Sequence, residues 1–185
     1  MQIMVGITGA SGSIYGYTLV RVLSGLGIDT SVIFTDMGKK VMEYECGISG
    51  EDIGEYARVY ENHDLFAAPA SGSCQSDGMV IIPCSMNTLG SIANGLGDTL
   101  LPRAAGVTLK EGRKLIAVVR ETPLSIIHLE NLLKLARAGA VVMPASPGFY
   151  HKPENIWELV EGMINRILDQ LGIEQKKIKR WGDSA

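Results

Sequence analysis

Three stretches of this sequence hold residues able to grip an anion or act on what it carries. The first is Thr8-Gly9-Ala10-Ser11-Gly12, which follows the apolar, β-prone run Ile3 to Ile7 and leads straight into a helical pattern. A strand that passes through small residues into a helix presents backbone N–H groups at the positive end of that helix, a seat for a phosphate or another anion. Gly9 and Gly12 allow close approach and positive φ, and Ser11 adds a hydroxyl that donates or accepts. The second stretch, Ser85-Met86-Asn87-Thr88, repeats this logic after another strand. The third is basic. Arg103 and Lys110 lie seven apart and share a helix face, which suits a phosphate clamp. Arg120-Glu121 stands at a strand tip, where open α/β sheets bind ligands. Each stretch also has a plain reading: an ordinary βα turn, a helix cap, a solvated basic edge, an exposed Arg–Glu pair.

The turn at 8–12 is not the dinucleotide fingerprint. Glycines fall at 6, 9, 12 and 16, so Gly-x-Gly-x-x-Gly is absent, and so is the P-loop lysine. At the end of the second strand stands Thr35-Asp36, a hydroxyl before the carboxylate that dinucleotide enzymes use for a ribose. Thr35 could bond a flavin or its ribityl chain, or it could simply cap the next helix.

Alternating elements must position these groups. Helices are expected over 14–26, 37–46 (carrying Glu43 and Glu45), from about 87, 98–110, 124–138 and 154–171. Strands are expected at Thr30–Phe34, Arg58–Glu61, Gly78–Ile82, Lys114–Val119 and Ala140–Met143, besides the opening one. The run Gly78–Ile82 does not alternate and reads as buried on both faces. Residues 67–77 carry no large side chain and read as a mobile loop, either a linker or a lid offering Ser71, Gly72 and Ser73. Residues 144–153 form a proline-rich loop presenting Tyr150. The last helix has an apolar face of Ile156, Val160, Met163, Ile167 and Leu171, with Arg166 off that face. Strand–helix alternation throughout specifies an α/β, doubly wound parallel sheet, flavodoxin-like or Rossmann-like. The expectation is a single domain over 1–185, with 174–185 a C-terminal tail whose Trp181 anchors on a neighbouring surface.

Bulk properties agree. A length of 185 residues fits one domain. A net charge of −3 points away from nucleic acid and from anionic membranes. Cys46, Cys74 and Cys84 form no Cys-x-x-Cys and read as reduced thiols of a cytoplasmic protein. His63, His128 and His151 lack ligand spacing, so no metal is expected. No signal peptide is expected either, since the chain opens on a strand. Residues 78–97 hold no charge, but Pro83, Asn87, Asn94 and four glycines suit a buried site or subunit interface better than a membrane span.

Taken in order, the segments Thr8-Gly-Ala-Ser-Gly12, Ala70-Ser-Gly-Ser73, Pro83-Cys-Ser85 with Thr88, Arg103-Ala-Ala, Leu109-Lys-Glu111, Arg120-Glu121, Ser125-Ile-Ile-His-Leu-Glu-Asn131, Pro147-Gly-Phe-Tyr-His151 and Arg180-Trp-Gly182 resemble the flavin prenyltransferases of the UbiX family over nearly the whole chain. The resemblance implies an enzyme that needs no metal. It would bind FMN and dimethylallyl phosphate and attach the prenyl group to reduced flavin at N5 and C6. The product, prenylated FMN, would serve UbiD-type decarboxylases. It also implies a homododecamer with active sites at subunit junctions. By resemblance, Gly9, Ala10, Ser11, Thr35, Ser85, Met86, Asn87, Thr88 and Arg120 would hold FMN, with Ser11 near N5. Ser71, Arg103, Lys110, Tyr150 and Arg166 would bind the prenyl phosphate. Glu45 and Glu121 would stand near the reacting carbons, with Glu121 or the released phosphate as base. Leu65 departs from relatives that carry Trp there, which weakens an aromatic cage and leaves monophosphate or diphosphate donor open. A rival with the same fold and a Pro-x-Ser-x-Asn-Thr turn is an FMN-dependent cysteine decarboxylase. A non-catalytic FMN-binding regulatory subunit is a second alternative.

Overall fold

The computed structural model describes residues 1–174. The expected tail, with Trp181, lies outside the described residues. The order is β1 (Gln2–Ile7), α1 (Ser13–Gly25), β2 (Asp29–Phe34), α2 (Asp36–Cys46), α3 (Gly50–Gly54), β3 (Arg58–Glu61), a 3-10 turn (Ala68–Ala70), β4 (Gly78–Cys84), α4 (Met86–Ala93), α5 (Leu100–Lys110), β5 (Lys114–Val119), α6 (Ile126–Arg137), β6 (Val141–Pro144) and α7 (Ile156–Leu171).

The six strands form one sheet in the order β3-β2-β1-β4-β5-β6, all parallel. Of the two expected variants this is the Rossmann order. Its direction reverses between β1 and β4, which is where open α/β sheets bind ligands. β4 lies at the centre and all seven of its residues are buried. That burial explains the uncharged, non-alternating run. Pro83 sits inside β4, and the pairing with β5 loses register between Ile81 and Cys84. A proline has no ladder N–H to give, so the pairing is interrupted there.

Each face of the sheet carries its own core. On one face α1 and α7 bury Leu19, Val20, Leu23, Val160, Met163, Ile164, Ile167 and Leu168 against Ile3, Val5, Ile7, Val80, Ile82, Ile116 and Val118. On the other, α4 and α5 bury Leu89, Ile92, Leu100, Leu101, Ala104 and Ala105 against Met79, Ile81, Leu115 and Ala117. Gly16 lets α1 press onto β4: an added Cβ would stand 2.6 Å from the carbonyl oxygen of Ile82.

Two segments differ from expectation, and a third forms as expected with its apolar side turned outward. α3 was not foreseen, although Ser49 and Asp52 form a capping box at its start. The segment 67–77 is tied down, because Arg113 donates to the carbonyls of Cys74 (2.6 Å) and Gly72 (2.9 Å). α6 forms as expected, but of its apolar residues only Leu135 is buried, while Ile126, Ile127, Leu129 and Leu133 face outward.

Candidate active site

The turns after β1, β2, β4 and β5 converge at the C-terminal edge of the sheet. A buried hydroxyl joins two of them. Thr8 Oγ1 donates to the Pro83 carbonyl (2.7 Å) and accepts from the Ser85 amide (2.8 Å). The first turn is fastened to α2 as well. An added Cβ on Gly9 would collide with Met37 Cβ at 2.6 Å.

Glu45, in the last turn of α2, changes the reading of the opening turn. Gly12 caps α1 with φ 101° and has no side chain to offer the helix. The Glu45 carboxylate does so instead: Oε2 accepts from the amides of Gly12 (2.9 Å) and Ser13 (3.0 Å). The anion expected at the N-terminus of α1 is therefore, for those two amides, supplied by the chain itself. Partial burial pushes the Glu45 carboxyl up. Hydrogen bonds from the Ser11 hydroxyl and the amides of Gly12 and Ser13, with the nearby Arg120 charge, outweigh that and hold it below the usual glutamate range. Glu45 is an ionised carboxylate at neutral pH. Arg120 reaches from the end of β5 and donates from Nε to the Ser11 carbonyl (3.1 Å). Ser11, Glu45 and Arg120 thus form one cluster drawn from three segments.

Thr35 and Ser85 both cap helices, the plainer of their two readings. Thr35 Oγ1 accepts from Gly38 N (3.0 Å). Ser85 Oγ accepts from Thr88 N (3.3 Å) and donates to Thr88 Oγ1 (3.1 Å). The Thr35 and Thr88 hydroxyl protons remain available to a ligand. Gly9, Ala10, Ser11, Met86 and Asn87 have no hydrogen bond from their amides to the described residues. A rim of unspent amides and hydroxyls around the β1/β4 switch point fits the phosphate, ribityl and ring edges of a mononucleotide.

The basic residues lie on two different helices and make no hydrogen bond to Ser11, Glu45 or Arg120 among the described residues. Arg103 and Lys110 lie on α5. Arg103 Nε donates to Ala70 O (3.1 Å), and Lys110 is paired with Glu111. Ser71 shares a hydrogen bond with Ser73 (2.8 Å), and Gly72 lies close against the charged ends of Lys110 and Glu111. Arg166 is on α7, across the sheet, and pairs with Asp169 (2.9 Å). Tyr150 lies before α7 with its ring edge-on to His151 at 5.4 Å. Arg103 and Lys110 therefore lie across the sheet from Arg166, because α5 and α7 cover opposite faces. Glu121 is exposed beside Arg120, and its Oε1 accepts from Thr122 N (3.0 Å). Leu65 is half-exposed on the segment after β3.

Two structural partners escaped the sequence reading. Thr8 was seen only as part of a turn, and Asn62, which binds the start of α5, was not singled out at all. Among the described residues no helix is long and apolar enough to cross a membrane. No group of three or more His, Cys, Asp or Glu among the described residues could hold a metal ion.

The comparisons extend this geometry. The flavoprotein family model matches residues 1–168. A flavin prenyltransferase UbiX of Thermoplasma acidophilum is 49% identical over 187 residues, covering 98% of this chain and 100% of its own. A crystal structure of AnUbiX in complex with FMN and dimethylallyl pyrophosphate superposes with a TM-score of 0.96 at 38% identity, over 98% of this chain and 97% of that one. A dodecameric FMN-dependent UbiX-like decarboxylase from Escherichia coli O157:H7 gives 0.95 at 42% identity, over 98% and 99%. With the flavoprotein family matched over residues 1–168 and 49% identity along nearly its full length to a flavin prenyltransferase, the chain belongs to the UbiX family of flavin prenyltransferases.

Proposed function

We propose that this protein transfers a dimethylallyl group from dimethylallyl phosphate to reduced FMN at N5 and C6, and that prenylated FMN passes from it to a UbiD-type decarboxylase in the cytoplasm. The observation that carries the reading is the convergence of Ser11, Glu45 and Arg120 beside the unspent amides of the β1 and β4 turns. Reduced FMN supplies the nucleophilic positions.

The chain supplies the rest. Gly9, Ala10, Ser11, Thr35, Ser85, Met86, Asn87, Thr88 and Arg120 hold the flavin. Glu45 is a fixed negative charge. By accepting from the Ser11 hydroxyl it uses the Ser11 proton and leaves the lone pairs of that oxygen as acceptors, and by accepting from Gly12 and Ser13 it locks the turn. Arg120 pins the Ser11 carbonyl. Expelling a phosphate from an allylic carbon needs donors aimed at the departing charge. Arg103, Lys110, Arg166, Tyr150 and Ser71 are the groups for that, and guanidinium–phosphate bonds are the strong, charge-assisted kind. Because α5 and α7 cover opposite faces of the sheet, these groups meet only when copies of the chain assemble. The homododecamer is the assembly we adopt, with sites at the junctions and the outward apolar side of α6 available for burial. Glu121 takes the proton released at C6, in competition with the departed phosphate.

The test is anaerobic incubation of the protein with reduced FMN and dimethylallyl monophosphate, followed by flavin mass. Gain of one prenyl unit is expected. An unchanged flavin, with decarboxylation of a cysteine substrate instead, would overturn the reading.

A further inference from the structure

α5 has no cap of its own. Thr99 stands at its N-cap position but makes no side-chain bond to the first turn. The first two amides turn to a residue far back in the chain. Leu100 N donates to the Asn62 carbonyl at 2.8 Å, and Leu101 N donates to Asn62 Oδ1 at 3.0 Å. Asn62 is 6% exposed and Leu101 is fully buried, so water does not substitute for the side-chain bond. One asparagine, 39 positions away, caps the helix with its backbone and its side chain together.

The same segment grips α5 a second time. Arg103 lies one turn into the helix, and its Nε returns to the carbonyl of Ala70. Residues 62–70 therefore hold the first turn of α5 at both ends of a short span. Nε is consumed by that bond, and the two terminal guanidinium nitrogens are left for an anion.

We infer that Asn62 is a positioning residue for prenyl-phosphate binding: it fixes the start of α5 and so aims the terminal nitrogens of Arg103. The inference rests on the prenyltransferase reading of Arg103. Asn62 touches no ligand itself. Removing Oδ1 leaves Leu101 N buried without an acceptor, so the first turn must shift or fray, and Arg103 moves with it. The flavin rim at β1, β2, β4 and β5 uses none of these bonds and should not change.

Asn62→Ala and Asn62→Asp are compared with wild type by three measurements. Hydrogen exchange of the Leu100 and Leu101 amides reads the cap directly. FMN affinity reads the first group of residues, and steady-state KM and kcat for dimethylallyl monophosphate read the second. In Asn62→Ala the Leu101 amide should exchange faster while Leu100, held by a backbone carbonyl, changes less. KM for the prenyl phosphate should rise about fivefold or more, with FMN affinity unchanged. Asn62→Asp keeps the acceptor and should recover both Leu101 protection and KM. If the alanine variant does not fold, Asn62→Ser, whose hydroxyl stops short of Leu101 N, takes its place. Faster Leu101 exchange with unchanged KM overturns the positioning role alone, and so does an equal loss of FMN affinity. A wild-type protein without prenyl transfer overturns both this inference and the reading beneath it.

Discussion

The Thr8 hydroxyl lies 2.8 Å from the backbone nitrogen of Ser85 and 2.7 Å from the carbonyl of Pro83, so one buried side chain holds the β1 turn against the β4 turn. These turns frame the switch point, and Pro83, which breaks the strand ladder there, supplies the carbonyl. Thr8→Val is nearly isosteric but leaves the partly buried Ser85 N without its acceptor, which costs about 1 kcal/mol. We expect a lower unfolding midpoint and weaker FMN binding in titrations of flavin fluorescence. Thr8→Ser should restore both. Equal FMN affinity in Thr8→Val and wild type would mean that the turns keep their spacing without this link.

Glu45 gives the protein an acid limit. Its carboxyl lies below the usual glutamate range in the folded state, because hydrogen bonds and the Arg120 charge outweigh partial burial. The unfolded chain therefore takes up the proton more readily. Stability from Glu45 is fully present above the unfolded glutamate value and is lost as pH falls through the folded one. Urea midpoints of wild type and Glu45→Gln should differ at neutral pH and converge in acid, below the ordinary glutamate range. A constant difference across that range would detach the effect from the Glu45 charge.

The sheet was legible because its strands are buried apolar runs separated by helical patterns, and a parallel, doubly wound arrangement follows from that alternation. The cluster at Glu45 was not legible from spacing, since its partners at 12 and 13 are 33 and 32 residues away and no local pattern announces them. Its place near Ser11 came from family resemblance alone. Arg103 and Lys110 do lie on one helix, as their spacing required. What spacing could not say is that α7 crosses to the other face after β6, which separates Arg166 from them. α6 was legible as an amphipathic helix, but whether its apolar side meets its own sheet or another surface depends on tertiary docking. The capping box at Ser49–Asp52 was in plain view, and it marks a helix too short for periodicity to reveal.

Glu121 is exposed beside Arg120, and its carboxylate accepts only from the Thr122 amide among the described residues, which leaves a second oxygen open to a substrate proton. If it is the base for closing the fourth ring, Glu121→Gln should slow that step about 100-fold or more in single-turnover mass spectrometry, with FMN affinity kept. Ring closure at the wild-type rate would leave the released phosphate as the base.

Arg103 and Arg166 provide the sharpest test of a shared site. They sit on α5 and α7, on opposite faces of one sheet, and each is held locally, Arg103 by Ala70 O and Arg166 by Asp169. Within one protomer the body of the sheet stands between the two helices that carry them. If copies of the chain each contribute one of them, Arg103→Ala and Arg166→Ala should both be inactive alone. Co-expressed in equal amounts and purified as mixed oligomers, they should recover about a quarter of wild-type turnover, because random assembly pairs an intact Arg103 with an intact Arg166 at that share of junctions. Mixing after separate assembly should recover nothing unless subunits exchange. A co-expressed mixture as inactive as its parents would show that both arginines are needed from the same protomer, and the shared phosphate site would have to be abandoned.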